Sequence, residues 1–242
     1  MCTVTFLPVR GGYILTSSRD ELISRKTLPP KSYDHLGQSI HYPKDEKGRG
    51  TWFAASDSGM IACLLNGAFK NHVKKDTYLK SRGQILLESF QFDRAASFHE
   101  DIDLEGVEPF TILFIKNLLQ IDFHELRWDG KKKYFKKVNP SIPHIWSSIT
   151  LYSHSTQKLR RSWFYQWIKK YGEYPDFNIF RFHTTRHSNN LENDILMSRS
   201  SGMQTISLSQ FRLKNNKGSF TYLDLLANKV YIKSIHHEKH FV

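Results

Sequence analysis

Cysteine is almost missing from this chain, with Cys2 and Cys63 the two thiols among 242 residues. So few thiols exclude a disulfide-stapled scaffold and fit a reducing, cytoplasmic setting. No apolar run approaches the roughly 18 to 20 residues that span a bilayer as a helix, and no apolar leader precedes Thr3. No Ser/Gly linker, low-complexity tract or internal repeat divides the sequence. One domain over residues 1–242, large enough to bury a sizeable core, is the expectation. Acidic residues are in the minority, 23 against 35 Lys and Arg, for a formal charge of +12. The densest basic segment, Lys131-Lys132-Lys133-Tyr134-Phe135-Lys136-Lys137, has the interleaved aromatics of a nucleic-acid surface. Asp129-Gly130 directly before it is a hairpin turn, so these lysines are expected to protect a strand edge, and nucleic acid is disfavoured as a partner.

Metal-ligating patterns are also missing. Twelve histidines are present, but no His-Glu-x-x-His or Cys-x-x-Cys occurs. His183 and His187 have the i, i+4 spacing of two ligands without a third, and His236, His237 and His240 crowd a short tail. Neither a metal nor a cofactor is expected.

What is present is a strand-rich pattern. Strands are predicted at Thr3–Pro8, Tyr13–Ser18, Thr51–Ser56, Met60–Asn66, Phe110–Lys116, Leu119–Trp128, Lys133–Val138, Thr205–Leu208, Gly218–Asp224 and Lys229–Ile235. Helices are predicted at Leu79–Phe90, Arg94–Glu100 and Gln157–Tyr171, with a further one near Asp176–His183. In the third of these, Ser155 or Thr156 caps the start and Leu159, Trp163, Trp167 and Ile168 form the apolar stripe. Strands at both ends with helices between them point to antiparallel sheets in an α+β fold.

Chemistry concentrates at the start. Removal of Met1 would leave Cys2 with a thiol nucleophile and an α-amine base on one residue, with ordinary pKa values of about 8.5 and about 7.7 to 8.0. Arg10-Gly11-Gly12 turns the first strand into the second. With Arg10-Gly11 as the loop, Cys2 falls opposite Arg19; with Gly11-Gly12 it falls opposite Glu21. In a strand Cys2, Val4 and Phe6 share a face with Tyr13, Leu15, Ser17 and Arg19 across the ladder. Arg19 would therefore lower the thiol pKa, while Asp20 would hold the α-ammonium. Cys63, inside an apolar strand, reads as an inert core thiol. Asn66 closes that same strand before Gly67, either as turn chemistry or as a polar group at a site. Ser147, Ser148 and Thr150 are hydroxyl donors available to a pocket, or else caps and turns.

Met1-Cys2-Thr3-Val4-Thr5-Phe6 followed by Gly12-Tyr13-Ile14-Leu15-Thr16-Ser17-Ser18-Arg19-Asp20-Glu21 resembles the opening of the NRDE proteins, also called the transport and Golgi organisation protein 2 family. The resemblance continues through Arg49-Gly50-Thr51-Trp52-Phe53-Ala54, Gly59, Leu65-Asn66-Gly67, Trp146-Ser147-Ser148, Thr150-Leu151-Tyr152, and Asn193-Asp194 to Met197 and Arg199. That family is similar to the N-terminal-nucleophile (Ntn) hydrolases of the penicillin V acylase and bile salt hydrolase branch. The resemblance implies a four-layer α/β/β/α sandwich and hydrolysis of a non-peptide amide of a small molecule. Cys2 would be the nucleophile, Asn66 an oxyanion donor, and Arg199 a substrate contact. It equally implies an alternative, a binding or trafficking protein that handles haem, lipid or another hydrophobic ligand without turnover. Two departures stand out: Ser18 replaces the asparagine of the family's Asn-Arg-Asp-Glu motif, and Arg19 adjoins Asp20 where the acylase branch separates the two by two residues.

Overall fold

The computed structural model describes residues 3–117, 120–172 and 179–236. Its first strand, β1 (Thr3–Val9), folds back on β2 (Gly12–Leu22) with paired positions that sum to 21, from Thr3 opposite Ser18 to Val9 opposite Gly12. Of the two registers open from the sequence, the Arg10-Gly11 loop is the one adopted. Gly11 makes that turn possible at φ +80°, where a side chain would be strained.

The chain then forms β3 (Thr27–His35), β4 (Gln38–Asp45), β5 (Phe53–Ser56) and β6 (Met60–Asn66), followed by helices α1 (Arg82–Glu88) and α2 (Ala95–Asp101). Strands β7 (Phe110–Asn117), β8 (Ile121–Trp128), β9 (Lys133–Lys137) and β10 (His144–Ser147) precede α3 (His154–Tyr171) and α4 (Phe180–Thr184). The last three strands are β11 (Met203–Lys214), β12 (Lys217–Asp224) and β13 (Lys229–His236).

Every neighbouring pair is antiparallel, in two sheets ordered β10-β1-β2-β11-β12-β13 and β3-β4-β5-β6-β7-β8-β9. The sheets meet through aromatic contacts such as Phe6 on Phe123, with ring centroids 4.8 Å apart, and Phe53 on Phe220 at 5.6 Å. Each buried aromatic ring removes a large apolar area from water, so this interface carries much of the core. Outside it, α3 and α4 cover the six-stranded sheet through Ile14, Phe164, Trp167, Ile179 and Phe182. On the other outer face Phe98 of α2 meets Phe114 of β7 at 5.2 Å. The result is the expected four-layer α/β/β/α sandwich. Among the described residues no helix is long and apolar enough to cross a membrane.

Several local expectations need correction. α3 starts one turn earlier than predicted because Ser153 is the cap, its hydroxyl accepting from Thr156 N at 3.2 Å, and not Ser155 or Thr156. Its buried face is Thr156, Arg160, Phe164 and Trp167, and Leu159 is exposed. A wholly buried arginine displaces the apolar stripe that hydrophobicity alone would draw. α1 begins at Arg82 and not at Leu79, where Ser81 and Gln84 form a capping box. Of the helix predicted near Asp176–His183, residues 176–178 lie outside the described residues, and α4 occupies Phe180–Thr184. Leu119, predicted to open β8, also lies outside them. The hairpin of β8 and β9 forms as expected. Asp129 Oδ1 accepts from Lys131 N and Lys132 N at 2.8 Å, and β9 with its lysines edges the seven-stranded sheet.

Candidate active site

Adjacent strand residues point to opposite faces, and the end of β2 uses that alternation. Arg19 turns toward the seven-stranded sheet, where Nη2 meets Asp45 Oδ2 at 2.5 Å, Nη1 donates to Thr27 Oγ1, and the guanidinium lies 4.2 Å above the Trp52 ring. Burial lowers the Arg19 pKa from its ordinary value, and the Asp45 charge opposes that drop. Burial would raise the Asp45 carboxyl, but the Gly48 N–H at 2.7 Å, the Arg25 Nε–H at 2.8 Å and the Arg19 charge hold it below the usual carboxylate range. Asp20 turns the other way, toward the α3 layer. Tyr152 donates its hydroxyl proton to Asp20 Oδ2 at 2.5 Å, and Thr205 Oγ1 donates to Oδ1 at 2.6 Å.

A bulge in β11 accommodates this point: Asp20 pairs with Thr205 and Arg19 with Ser207, leaving Ile206 extra. The Arg-Asp junction is therefore a register irregularity in the partner strand and not in β2.

Asn66 ends β6, and the segment after β10 crosses over it. Ser148 Oγ donates to Asn66 O at 3.1 Å, and Ile149 N does so at 3.2 Å. Gly67 next to it has φ +82°, and a Cβ there would lie 3.1 Å from both Ile149 and Thr150. The crossing can come this close because residue 67 has no side chain.

Arg19, Asp20, Asn66 and Thr150 line one cavity of about 670 Å³ together with Asp45, Trp52 and Arg82. Two strands, β2 and β6, and the segment after β10 thus bring four of the candidate residues to a single hollow. Ser148 is buried behind it, its hydroxyl 3.1 Å from that of Thr150. Ser147 lines a separate hollow of about 180 Å³ on the far side of Asn66. Arg199 lies behind the wall, donating to Glu192 O at 3.1 Å and to Leu151 O at 2.9 Å, with its guanidinium 5.6 Å from the Tyr152 ring. Cys2 lies outside the described residues.

Sequence reasoning missed Asp45 and Arg160. Arg160 is fully buried, donates to Thr3 Oγ1 at 2.6 Å and to the Asn193 and Asp194 carbonyls, and stacks 3.4 Å over Tyr152. It thereby ties the first described residue of β1 to the ring that holds Asp20. A charged residue inside a helix pattern gives no sign of such burial, and Asp45 sits in an unremarkable Lys-Asp-Glu run.

The histidines with ligand spacing serve other purposes. His183 Nε2 is 2.8 Å from Thr5 Oγ1, and burial pushes its pKa down to about 3, so the ring is neutral at physiological pH. His187 Nε2 is 2.9 Å from Phe182 O. Among the described residues no three His, Cys, Asp or Glu side chains gather as a metal site. The His236 side chain, His237 and His240 lie outside them.

Cys63 is wholly buried, and burial pushes its thiol pKa up to about 12. It is expected to resist iodoacetamide at neutral pH until the protein unfolds, since both thiolate fraction and access are low. Peptide mapping over time checks this; prompt labelling of Cys63 in folded protein would contradict the burial.

The comparisons with known proteins bear on the family and the fold. The family model described as Transport and Golgi organisation 2 matches residues 1–173. None of the curated proteins matches the chain in sequence. Among solved structures, a variant of the conjugated bile acid hydrolase from Clostridium perfringens is similar at a TM-score of 0.61 and 9% identity, covering 98% of this chain and 94% of that one. A second variant of that hydrolase gives 0.59 at 9% identity over 99% and 94%. Penicillin V acylase from Agrobacterium tumefaciens gives 0.50 at 10% identity over 97% and 86%. These neighbours are Ntn hydrolases, and the chain shares their sandwich fold.

Proposed function

The chain belongs to the Transport and Golgi organisation 2 family, and from that membership and the geometry of its cavity we propose that it is a cysteine amidohydrolase of the Ntn type, cleaving a non-peptide amide of a small molecule. The observation that carries this reading is the convergence of Arg19, Asp20, Asn66 and Thr150 on one cavity at the end of the sandwich where β1 begins. Thr3 pairs with Ser18 on one side and Ser147 on the other.

In this mechanism the Cys2 thiolate attacks the amide carbonyl while its α-amine takes the thiol proton and later delivers it to the departing amine. Arg19 favours the thiolate, Asp20 orients the α-ammonium, and the Asn66 side-chain amide donates to the tetrahedral oxyanion. Water then cleaves the thioester. Thr150 contacts substrate within the cavity; Ser147, Ser148 and Arg199 would act on it through the walls they build. One feature favours turnover over carriage of haem or lipid. The cavity is lined by Arg19, Asp20, Asp45, Arg82 and Glu108, and an apolar chain placed against these groups would strip them of water without replacing their hydrogen bonds.

Removal of Met1 is a requirement, because a blocked α-nitrogen cannot act as the base. Intact mass of protein made without an N-terminal tag is expected to show its loss. Incubation with a panel of acyl amides is expected to leave a transient acyl mass on the N-terminal peptide. Full retention of Met1, or release of amine without any acyl intermediate, would overturn the mechanism.

A further inference from the structure

β10 is an edge strand, four residues long, and its outer side sits in a groove. The hollow of about 180 Å³ behind Asn66 and another of about 340 Å³ share Ile145, Trp146, Arg127 and Arg161, so they form one trough along this strand. One wall is α3, through Gln157, Arg161 and Tyr165, residues four apart that share a helix face. The other wall is the hairpin of β8 and β9. There the buried Glu125 carboxylate takes Arg127 Nε at 2.8 Å, Lys136 Nζ at 3.1 Å and Trp146 Nε1 at 2.6 Å. Two cations share that one carboxylate, and Arg161 on the facing wall is exposed and makes no ion pair among the described residues. Lys137 also borders the trough, but strand alternation sends its side chain to the opposite face, beside His124.

A strand edge in such a trough offers unpaired main-chain donors and acceptors between two cationic walls. No strand pairs with β10 on the side away from β1 among the described residues. We propose that this groove is a docking site for an extended acidic peptide segment of a partner protein, which adds to the six-stranded sheet beside β10. Main-chain hydrogen bonds supply the pairing, and side chains alternate between the two walls. His144 and Trp146 lie on the inner face with Val4 and Phe6, and Ile145 and Ser147 lie on the α3 side. An acidic residue aimed inward therefore meets Arg127 and Lys136, and its neighbour in sequence meets Arg161. Two consecutive acidic residues are the recognised feature. The trough is distinct from the cavity of the proposed amidase, with the crossing of Ser148 and Ile149 over Asn66 between them.

The test is calorimetric titration of the full chain with a blocked octapeptide carrying a central Glu-Glu pair among valine and threonine. Three counterparts accompany it, one with Lys-Lys at the centre and two methylated on alternate backbone nitrogens, one in each phase. The Glu-Glu peptide is expected to bind at least about tenfold more tightly than the Lys-Lys peptide and than one of the two methylated peptides, the one blocked on the nitrogens that face β10. In the double variant Arg161→Glu, Lys136→Glu the charge preference is expected to reverse. Both side chains reach solvent, so the variant is expected to fold, as an unchanged circular dichroism melt would confirm. Equal binding of the Glu-Glu and Lys-Lys peptides, or no binding, overturns the proposal. Full binding by both methylated peptides overturns strand addition and leaves only surface charge. The readout is binding and owes nothing to turnover, so it stands or falls separately from the amidase.

Discussion

Asp45→Asn is expected to destabilise the protein by about 3 to 5 kcal/mol, the usual cost of removing one partner from a buried ion pair and leaving the other uncompensated. Arg19 is the charge left behind: its side chain is 3% exposed, Asp45 is its nearest carboxylate, and the Trp52 ring lies against its guanidinium. Arg25 would lose the Oδ2 acceptor that it shares with Arg19, while the remaining amide oxygen can keep the Gly48 N–H. The control is Lys26→Ala, which breaks an exposed pair with Glu46 and is expected to cost under about 1 kcal/mol. Urea unfolding of both variants decides the matter, and an Asp45→Asn cost no larger than the control's would mean that Arg19 is hydrated. The pH dependence has a definite sign. Because the Asp45 pKa is lower folded than unfolded, its contribution is fully present above an unfolded value near 4 and is lost as pH falls through the folded value. The variant should therefore show a flatter loss of stability in acid than the wild type.

Turnover should respond to different residues. Under the proposed mechanism Asn66→Ala lowers kcat by about 10² to 10³, equivalent to roughly 2.7 to 4 kcal/mol of barrier for one lost oxyanion donor. Cys2→Ala should abolish turnover while leaving ligand affinity nearly intact, and Cys2→Ser should lose most of it. The Asn66 carbonyl, and not its side chain, holds the crossing segment through Ser148 and Ile149. The alanine variant is thus expected to keep the wild-type melting temperature. A loss of kcat accompanied by an equal loss of folded protein, or unchanged kcat in a stable variant, would remove Asn66 from the chemistry. Persistent turnover in Cys2→Ala would remove the nucleophile itself.

Much of this arrangement was legible in the residues. Met60–Asn66 is a strand from end to end because an unbroken apolar run between two turns has few alternatives. The first hairpin could be read from its turn, and the opposite facing of Arg19 and Asp20 from alternation alone. β3, β4 and β10 went unseen for reasons that are physical. β3 carries Pro29-Pro30 at its register shift and β4 carries Pro43, and proline argues against a strand unless the strand is irregular or at an edge. β10 is four residues long and follows Pro143, too short to show alternation. β11 was seen only at Thr205–Leu208, because its continuation buries Ser209 and Gln210, the latter donating to Thr16 Oγ1 at 2.8 Å. Polar residues satisfied inside a protein look like surface when read in one dimension. Asp45 and Arg160 were hidden in the same way, since only the fold supplies their partners.

The alternation at the end of β2 also bears on how the site could diverge. Arg19 answers to the seven-stranded sheet through Thr27, Asp45 and Trp52, whereas Asp20 answers to the other face of its own sheet through Tyr152 and, from neighbouring β11, Thr205. The six-stranded sheet stands between the two sets as a partition. Changes in one layer can therefore retune the cation while leaving the carboxylate as it is, and changes in the other can do the reverse. Two neighbouring residues of one strand become separate controls, each inherited with its own half of the sandwich, so drift in either layer can alter the cavity by steps and does not require both charges to change at once.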